Sequence, residues 1–215
     1  YGLYYGDVRT FVNIYDVSHV KDPVLLRNFT ISGSYFNSRM IGDYVYFVTS
    51  QAAYVINNDT VSLPTIYSNE GIKEISAAEI HYTNVSDNYF SFTTIAALNM
   101  QSPAEKPNYE TIMMGGASTM YVSLNNIYIT FPESYEGTAI YRIHIENSSI
   151  SFEANGSVPG SVLNQFSMDE YGDYFRVATT KWVIAKWTFG IQQNNVYVLN
   201  MNLSIVGKLE NLASG

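Results

Sequence analysis

Hydrophobic and polar positions alternate with period two along much of the chain. Val12-Asn13-Ile14-Tyr15-Asp16-Val17 and Ile140-Tyr141-Arg142-Ile143-His144-Ile145 are two such stretches, and that period sends successive side chains to opposite faces of a strand. Shorter runs rich in β-branched and aromatic residues lie at 24–31, 44–49, 127–131, 175–179 and 196–199. Gly-Asp, Asn-Asn, Asp-Pro and Gly-Ser pairs bound them and supply the backbone angles of turns. No window sustains the 3.6-residue period of an amphipathic helix. The pattern predicts an all-β chain.

The strands also repeat. IGDYVYFVTS at 41–50 is echoed by NNIYITF at 125–131, GDYFRVATT at 172–180 and NNVYVLN at 194–200. Three of these echoes sit in hairpins. Arg39-Met40-Ile41 turns through Gly42-Asp43 into 44–49, the strand 120–124 turns through Asn125-Asn126 into 127–131, and 166–171 turns through Gly172-Asp173 into 174–179. Such two-residue turns suit positions that need positive φ. Third and fourth strands follow the second hairpin at 139–146 and 149–156, and the third at 195–201 and 203–209. A four-stranded antiparallel unit recurring every 40–50 residues or so has the period of a propeller blade. The expected fold is a β-propeller of about three four-stranded blades plus a half blade. The half blade spans 1–34, a blade with an insertion (roughly Asn57 to Ser76) spans 35–117, and further blades span 118–160 and 161–215. Propellers close with about four or more blades, so an incomplete ring is expected here. The remaining blades would come from the same polypeptide or a neighbouring subunit, and residues 1–215 alone would leave open apolar faces.

Several segments together resemble a known family. They are Tyr15-Asp16-Val17-Ser18 with Pro23, Gly33-Ser34-Tyr35 with Ser38-Arg39-Met40-Ile41-Gly42-Asp43-Tyr44, the block 158–171 continuing through 175–180, Asn195-Val196-Tyr197-Val198-Leu199, and Gly207-Lys208-Leu209. The family is the secreted C-terminal β-propeller domain proteins of archaea and bacteria, distant relatives of WD-40 repeats. The resemblance covers nearly the whole chain and is most specific over 158–180. It implies a propeller, an extracytoplasmic location and more propeller beyond the position of Ala213. It implies no reaction, because a fold does not by itself carry one.

Composition narrows the partners. Only 14% of the residues are charged and the net charge is −8. Polarity comes instead from 20 Asn, 22 Ser, 15 Thr and 19 Tyr. No Lys/Arg cluster occurs along the sequence, which argues against a nucleic-acid partner, since phosphate-backbone affinity rests on cations displacing counterions. The absence of Cys excludes a disulfide framework and thiolate metal sites. No apolar run approaches the ~18 residues of a membrane span. The chain starts at Tyr1 rather than Met, as a mature or trimmed product would.

Six sequons are present, headed by Asn28, Asn58, Asn84, Asn147, Asn155 and Asn202. With this Asn, Ser and Thr content about three or four would arise by chance under the acceptor rule. The excess, together with their positions near expected turns, points to a glycosylated extracellular surface.

Candidate chemistry is sparse. Asp169, Glu170 and Asp173 fall within one hairpin and are weak candidates for Ca²⁺, which takes hard oxygen ligands. Strand geometry sends Asp169 and Glu170 to opposite faces, and Arg176 reads as the partner of one carboxylate. His19, His81 and His144 lack metal-ligand spacing, and His144 with Arg142 reads as solvent-facing. No nucleophile elbow and no phosphate loop occurs. Recurring strand aromatics read as packing between sheets. The stretch 181–190, with Trp182, Trp187 and Phe189, reads either as a longer hairpin or as an exposed patch for a partner or sugar. The expected function is a non-catalytic, glycosylated scaffold or binding module at the cell surface, with a cell-envelope protein or glycan as partner. The alternative is a hydrolase, or an accessory domain of one, acting on extracellular polysaccharide or peptide through carboxylates brought together from distant blades.

Overall fold

The computed structural model describes residues 8–53, 55–56, 60–68, 71–82, 90–102, 104–133, 137–183 and 190–213. The strands in chain order are β1 (Arg9–Asp16), β2 (Val24–Ser32), β3 (Ser34–Ile41), β4 (Tyr44–Ala52), β5 (Val55–Ile56), β6 (Thr60–Val61), β7 (Thr65–Ser68), β8 (Gly71–Glu74) and β9 (Ile80–Tyr82). They continue with β10 (Ser91–Asn99), β11 (Asn108–Met114), β12 (Thr119–Val122), β13 (Asn126–Glu133), β14 (Gly137–Glu146), β15 (Ser149–Pro159), β16 (Met168–Tyr171), β17 (Tyr174–Val183), β18 (Ile191–Asn200) and β19 (Ile205–Leu212). Helical structure among the described residues is limited to 3₁₀ turns at Ala77–Glu79 and Gln165–Ser167. The chain is all-β.

Four larger sheets and one small ribbon result. Their orders are β1-β2-β7-β8, β3-β4-β10-β11-β9, β12-β13-β14-β15 and β16-β17-β18-β19, with β5-β6 as the ribbon. Two features differ from the sequence expectation. The half blade at the start is a four-stranded sheet, because β7 and β8 come from the presumed insertion and pair back onto it, with Thr30 opposite Tyr67 and Ile31 opposite Ile66. This register places Ile66 on the same buried side as Ile31 and satisfies the outer edge of β2. The second sheet gains a fifth strand, β9, which runs parallel to β11.

The chain divides into two compact units, Tyr1–Gly116 with Glu146–Ile150, and Ala117–Ile145 with Ser151–Gly215. In the first, Phe29, Ile31 and Ile66 from the first sheet meet Phe47, Ala96 and Leu98 from the second. Phe29 and Phe47 pack edge to face at 5.8 Å. The opposite side of the β1–β2 hairpin is open. Phe11 is 72% exposed and Tyr15 49%, and Asn13 lies directly across from Asn28 on the same side.

In the second unit, Tyr128, Ile140 and Ala154 of the third sheet meet Phe175, Val177 and Leu199 of the fourth. Tyr128 and Phe175 stack with ring centroids 3.9 Å apart and planes 9° from parallel. Gly156 makes β15 fit here: a Cβ at that position would lie 2.4 Å from the Leu203 carbonyl oxygen, so only glycine allows the approach.

Gly42 and Gly172 have φ of +56° and +59° with nothing near a hypothetical Cβ. They are selected for backbone angle and not for space. The Asn125-Asn126 pair behaves otherwise. Asn126 opens β13, the Ser123 amide donates to its carbonyl at 2.9 Å, and its own amide donates to Ser123 Oγ at 3.0 Å. That loop therefore closes without a primed two-residue turn.

Candidate functional site

The acidic hairpin β16–β17 is where sequence placed the weak Ca²⁺ candidates. Asp169 and Glu170 point to opposite faces, as pleating requires. Asp169 lies opposite Arg176 in register and accepts a hydrogen bond from its Nη2. The Arg176 guanidinium also sits 5.3 Å from the Tyr171 ring centroid. Asp173 is exposed in the turn. The three carboxylates are thus not brought together, and among the described residues no group of three His, Asp or Glu has metal-binding proximity.

Glu170 instead reaches the neighbouring sheet. Its Oε2 accepts from Tyr128 Oη at 2.6 Å, Asn126 Nδ2 at 2.9 Å and Ser123 Oγ at 3.0 Å. Its backbone amide donates to Tyr121 Oη at 3.1 Å. Arg142 extends the cluster, with Nη1 donating to Asn126 Oδ1 at 2.9 Å and Nε to the Met201 carbonyl at 2.8 Å. Only 11% of the Arg142 side chain is exposed, and Glu153 lies 3.8 Å away. The reading of Arg142 as solvent-facing is therefore corrected: the side it shares with His144 is covered by the turn at Met201. With three donors converging on one carboxylate oxygen, the cluster ties the third and fourth sheets together.

Burial, and then the bond to Glu170, push the Tyr128 hydroxyl above its usual range. Tyr197 is pushed from 10.0 up to about 12 by burial and by its bond to Glu210. Both groups stay neutral in the folded chain while the unfolded chain ionises near 10. Their contribution to stability is complete below that pH and lost as pH rises through the folded values. The urea midpoint of unfolding should therefore fall between pH 10 and 12, and Tyr128→Phe should make that fall shallower. A flat midpoint over the same interval would contradict the assignment.

The remaining candidates are scattered. His81 Nε2 lies 2.7 Å from Glu110 Oε1 across β9 and β11, and His19 Nδ1 lies 3.3 Å from Ser18 Oγ. The strand aromatics Tyr46, Phe47, Phe131 and Phe175 are buried, whereas Tyr174 is half exposed. Of the aromatic patch, Trp182 is 65% exposed on β17; Trp187 and Phe189 lie outside the described residues. Asn58 and Asn84 do so too. The side chains of Asn28, Asn147, Asn155 and Asn202 are exposed, and the middle residues of two sequons, Gly156 and Leu203, lie against each other.

One grouping had no signal in the sequence. Arg27, Lys73 and Lys106, far apart along the chain, line a single cleft of about 360 Å³ in the first unit. Folding β7 and β8 back onto β2 brings Lys73 to the sheet that carries Arg27, and the Arg27 bond to the Glu105 carbonyl holds the Lys106 segment beside them.

Consecutive sheets of four or five largely antiparallel strands, packed in pairs through apolar faces, define a propeller-type protein built from blades. The chain belongs to the beta propeller domain family, whose model matches residues 2–215. Two curated relatives are an uncharacterized protein of Methanocaldococcus jannaschii, 42% identical over 84 residues (39% of this chain, 12% of the relative), and one of Archaeoglobus fulgidus, 45% identical over 73 residues (33% and 10%). The matches thus span about a tenth of those relatives' length. No solved structure matches the chain.

Proposed function

We propose that this chain is a non-catalytic binding and assembly module of the cell surface, carrying N-linked glycans on the propeller. The observation that carries the reading is the set of sequons: six in 215 residues, with all four of their described asparagines exposed. A weakly charged surface rich in hydroxyl and amide groups supports it as well, since hydrogen bonding to glycans and to water does not depend on ion pairs that salt screens. The acidic hairpin, the most chemically suggestive stretch of sequence, is used for packing and pairing. No helix among the described residues is long and apolar enough to cross a membrane. Protein from its native source, mapped by peptide mass with and without glycosidase, should carry sugar at most of Asn28, Asn58, Asn84, Asn147, Asn155 and Asn202. Labelling of intact source cells with a membrane-impermeant reagent should modify it. Bare asparagines together with protection from the reagent would refute the proposal.

A further inference from the structure

Alternation along β1 and β2 gives their hairpin two unlike sides. Thr10 and Ile14 of β1 and Phe29 and Ile31 of β2 are buried, whereas Phe11, Asn13 and Tyr15 of β1 and Asn28 of β2 are exposed. On the exposed side Asn13 lies directly opposite Asn28, and Phe11 directly opposite Thr30. Asn28 and Thr30 are the first and third residues of one sequon. Both of its defining side chains therefore project from the side that carries the uncovered rings.

Phe11 is the diagonal neighbour of Asn28 across the two strands, a separation of about 7–8 Å that aromatic side chains can span. Tyr15 follows beyond Asn13, where a register shift brings it opposite Leu25. Asn28 thus stands between two exposed aromatics. Among the described residues no hydrogen bond engages the Asn28 side chain, so attaching a sugar there breaks none. None of Phe11, Asn13, Tyr15, Asn28 and Thr30 is acidic or basic, so this side suits a neutral ligand. The sequon residues Asn147 and Asn202 are placed differently, in the turns between β14 and β15 and between β18 and β19.

We propose that Phe11 and Tyr15 form a seat for the first sugar carried by Asn28, the C–H face of the sugar lying on the Phe11 ring and its hydroxyls toward Asn13 and Tyr15. This rests on the reading that the sequons are glycosylated. The negative face of an aromatic ring attracts the weakly positive C–H groups of a pyranose, and the contact removes apolar ring surface from water. A charged ligand would find no counter-charge on this side. A sugar that only swings in solvent would leave Phe11 as exposed as before.

The chain has no Cys, so Asn28→Cys creates a single thiol to which one glucose can be joined through an acetamide link. The same variant capped with iodoacetamide is the sugar-free reference. Proton NMR should show the glucose C–H signals moved upfield by the Phe11 ring. The melting temperature should exceed that of the reference by about 2 °C. Phe11→Ser should abolish both effects, each protein being compared with its own sugar-free form so that any loss of fold stability cancels. Glucose on Asn202→Cys, in a turn, should show neither. Unshifted sugar signals, a gain that survives Phe11→Ser, or an equal gain at Asn202→Cys would each overturn the seat. These measurements do not depend on what the native protein carries. Peptide mapping at Asn28 of protein from its native source tests the glycosylation reading by itself, so the two failures are told apart.

Discussion

Phe175→Ala is expected to lower the free energy of unfolding by about 4 kcal/mol, within the usual range for deleting a fully buried aromatic side chain. Phe175 has no exposed surface, stacks on Tyr128 at 3.9 Å and lies 6.1 Å from Tyr121. Its loss opens a cavity between two sheets that the rigid strands around it cannot collapse to fill. In a chain of this size that corresponds to a drop of about 10 °C in the melting temperature. Phe175→Leu should cost less than half as much, because it keeps most of the volume. Calorimetry or urea unfolding of the two variants decides the matter; equal and small effects would show that the stacked pair does not hold the sheets together.

Glu170→Ala should cost about 3 kcal/mol, for a different reason. The substitution removes little apolar contact, but it leaves the Tyr128 hydroxyl and the Asn126 amide, both from residues at most 4% exposed, without the carboxylate that accepts from them. A buried donor stripped of a charged partner costs more than the bond itself contributed. Glu170→Gln should be milder, since it keeps an acceptor oxygen. The discriminating measurement is a double-mutant cycle. Once Tyr128→Phe has removed the donor, Glu170→Ala should cost about 1 kcal/mol less than in the parent. Strict additivity would mean that the carboxylate acts through its charge alone.

These two residues also mark how far sequence could be read. Strand identity followed from alternation, and the turns at Gly42 and Gly172 followed from an angle only glycine adopts freely. Those are local properties. Asn125-Asn126 is turn chemistry, so sequence marks Asn126 as a turn residue; its part in binding Glu170 depends on a strand about forty residues later in the chain. Alternation also tells which side Arg142 takes, and not what covers that side. The pairing of β7 with β2 was missed for the same reason, since Ile66 and Tyr67 carry a strand signal too short to name a partner. The cationic cleft follows from that pairing and was equally hidden. The sequons, by contrast, are local motifs and were legible in full.

The open side of the β1–β2 hairpin places two demands on the same space. Asn28 stands there across from Asn13, on the side where Phe11 and Tyr15 are uncovered. Sheets that stack face to face lie about 10 Å apart, and a sugar chain on Asn28 would fill that gap. Glycosylation of Asn28 and stacking of another sheet on this face would therefore exclude each other. A sugar on Asn28 would make the first sheet a chemical end stop, while a bare Asn28 would leave Phe11 and Tyr15 as an uncovered aromatic face. A single modification would then govern whether anything can pack against the open face of the first sheet.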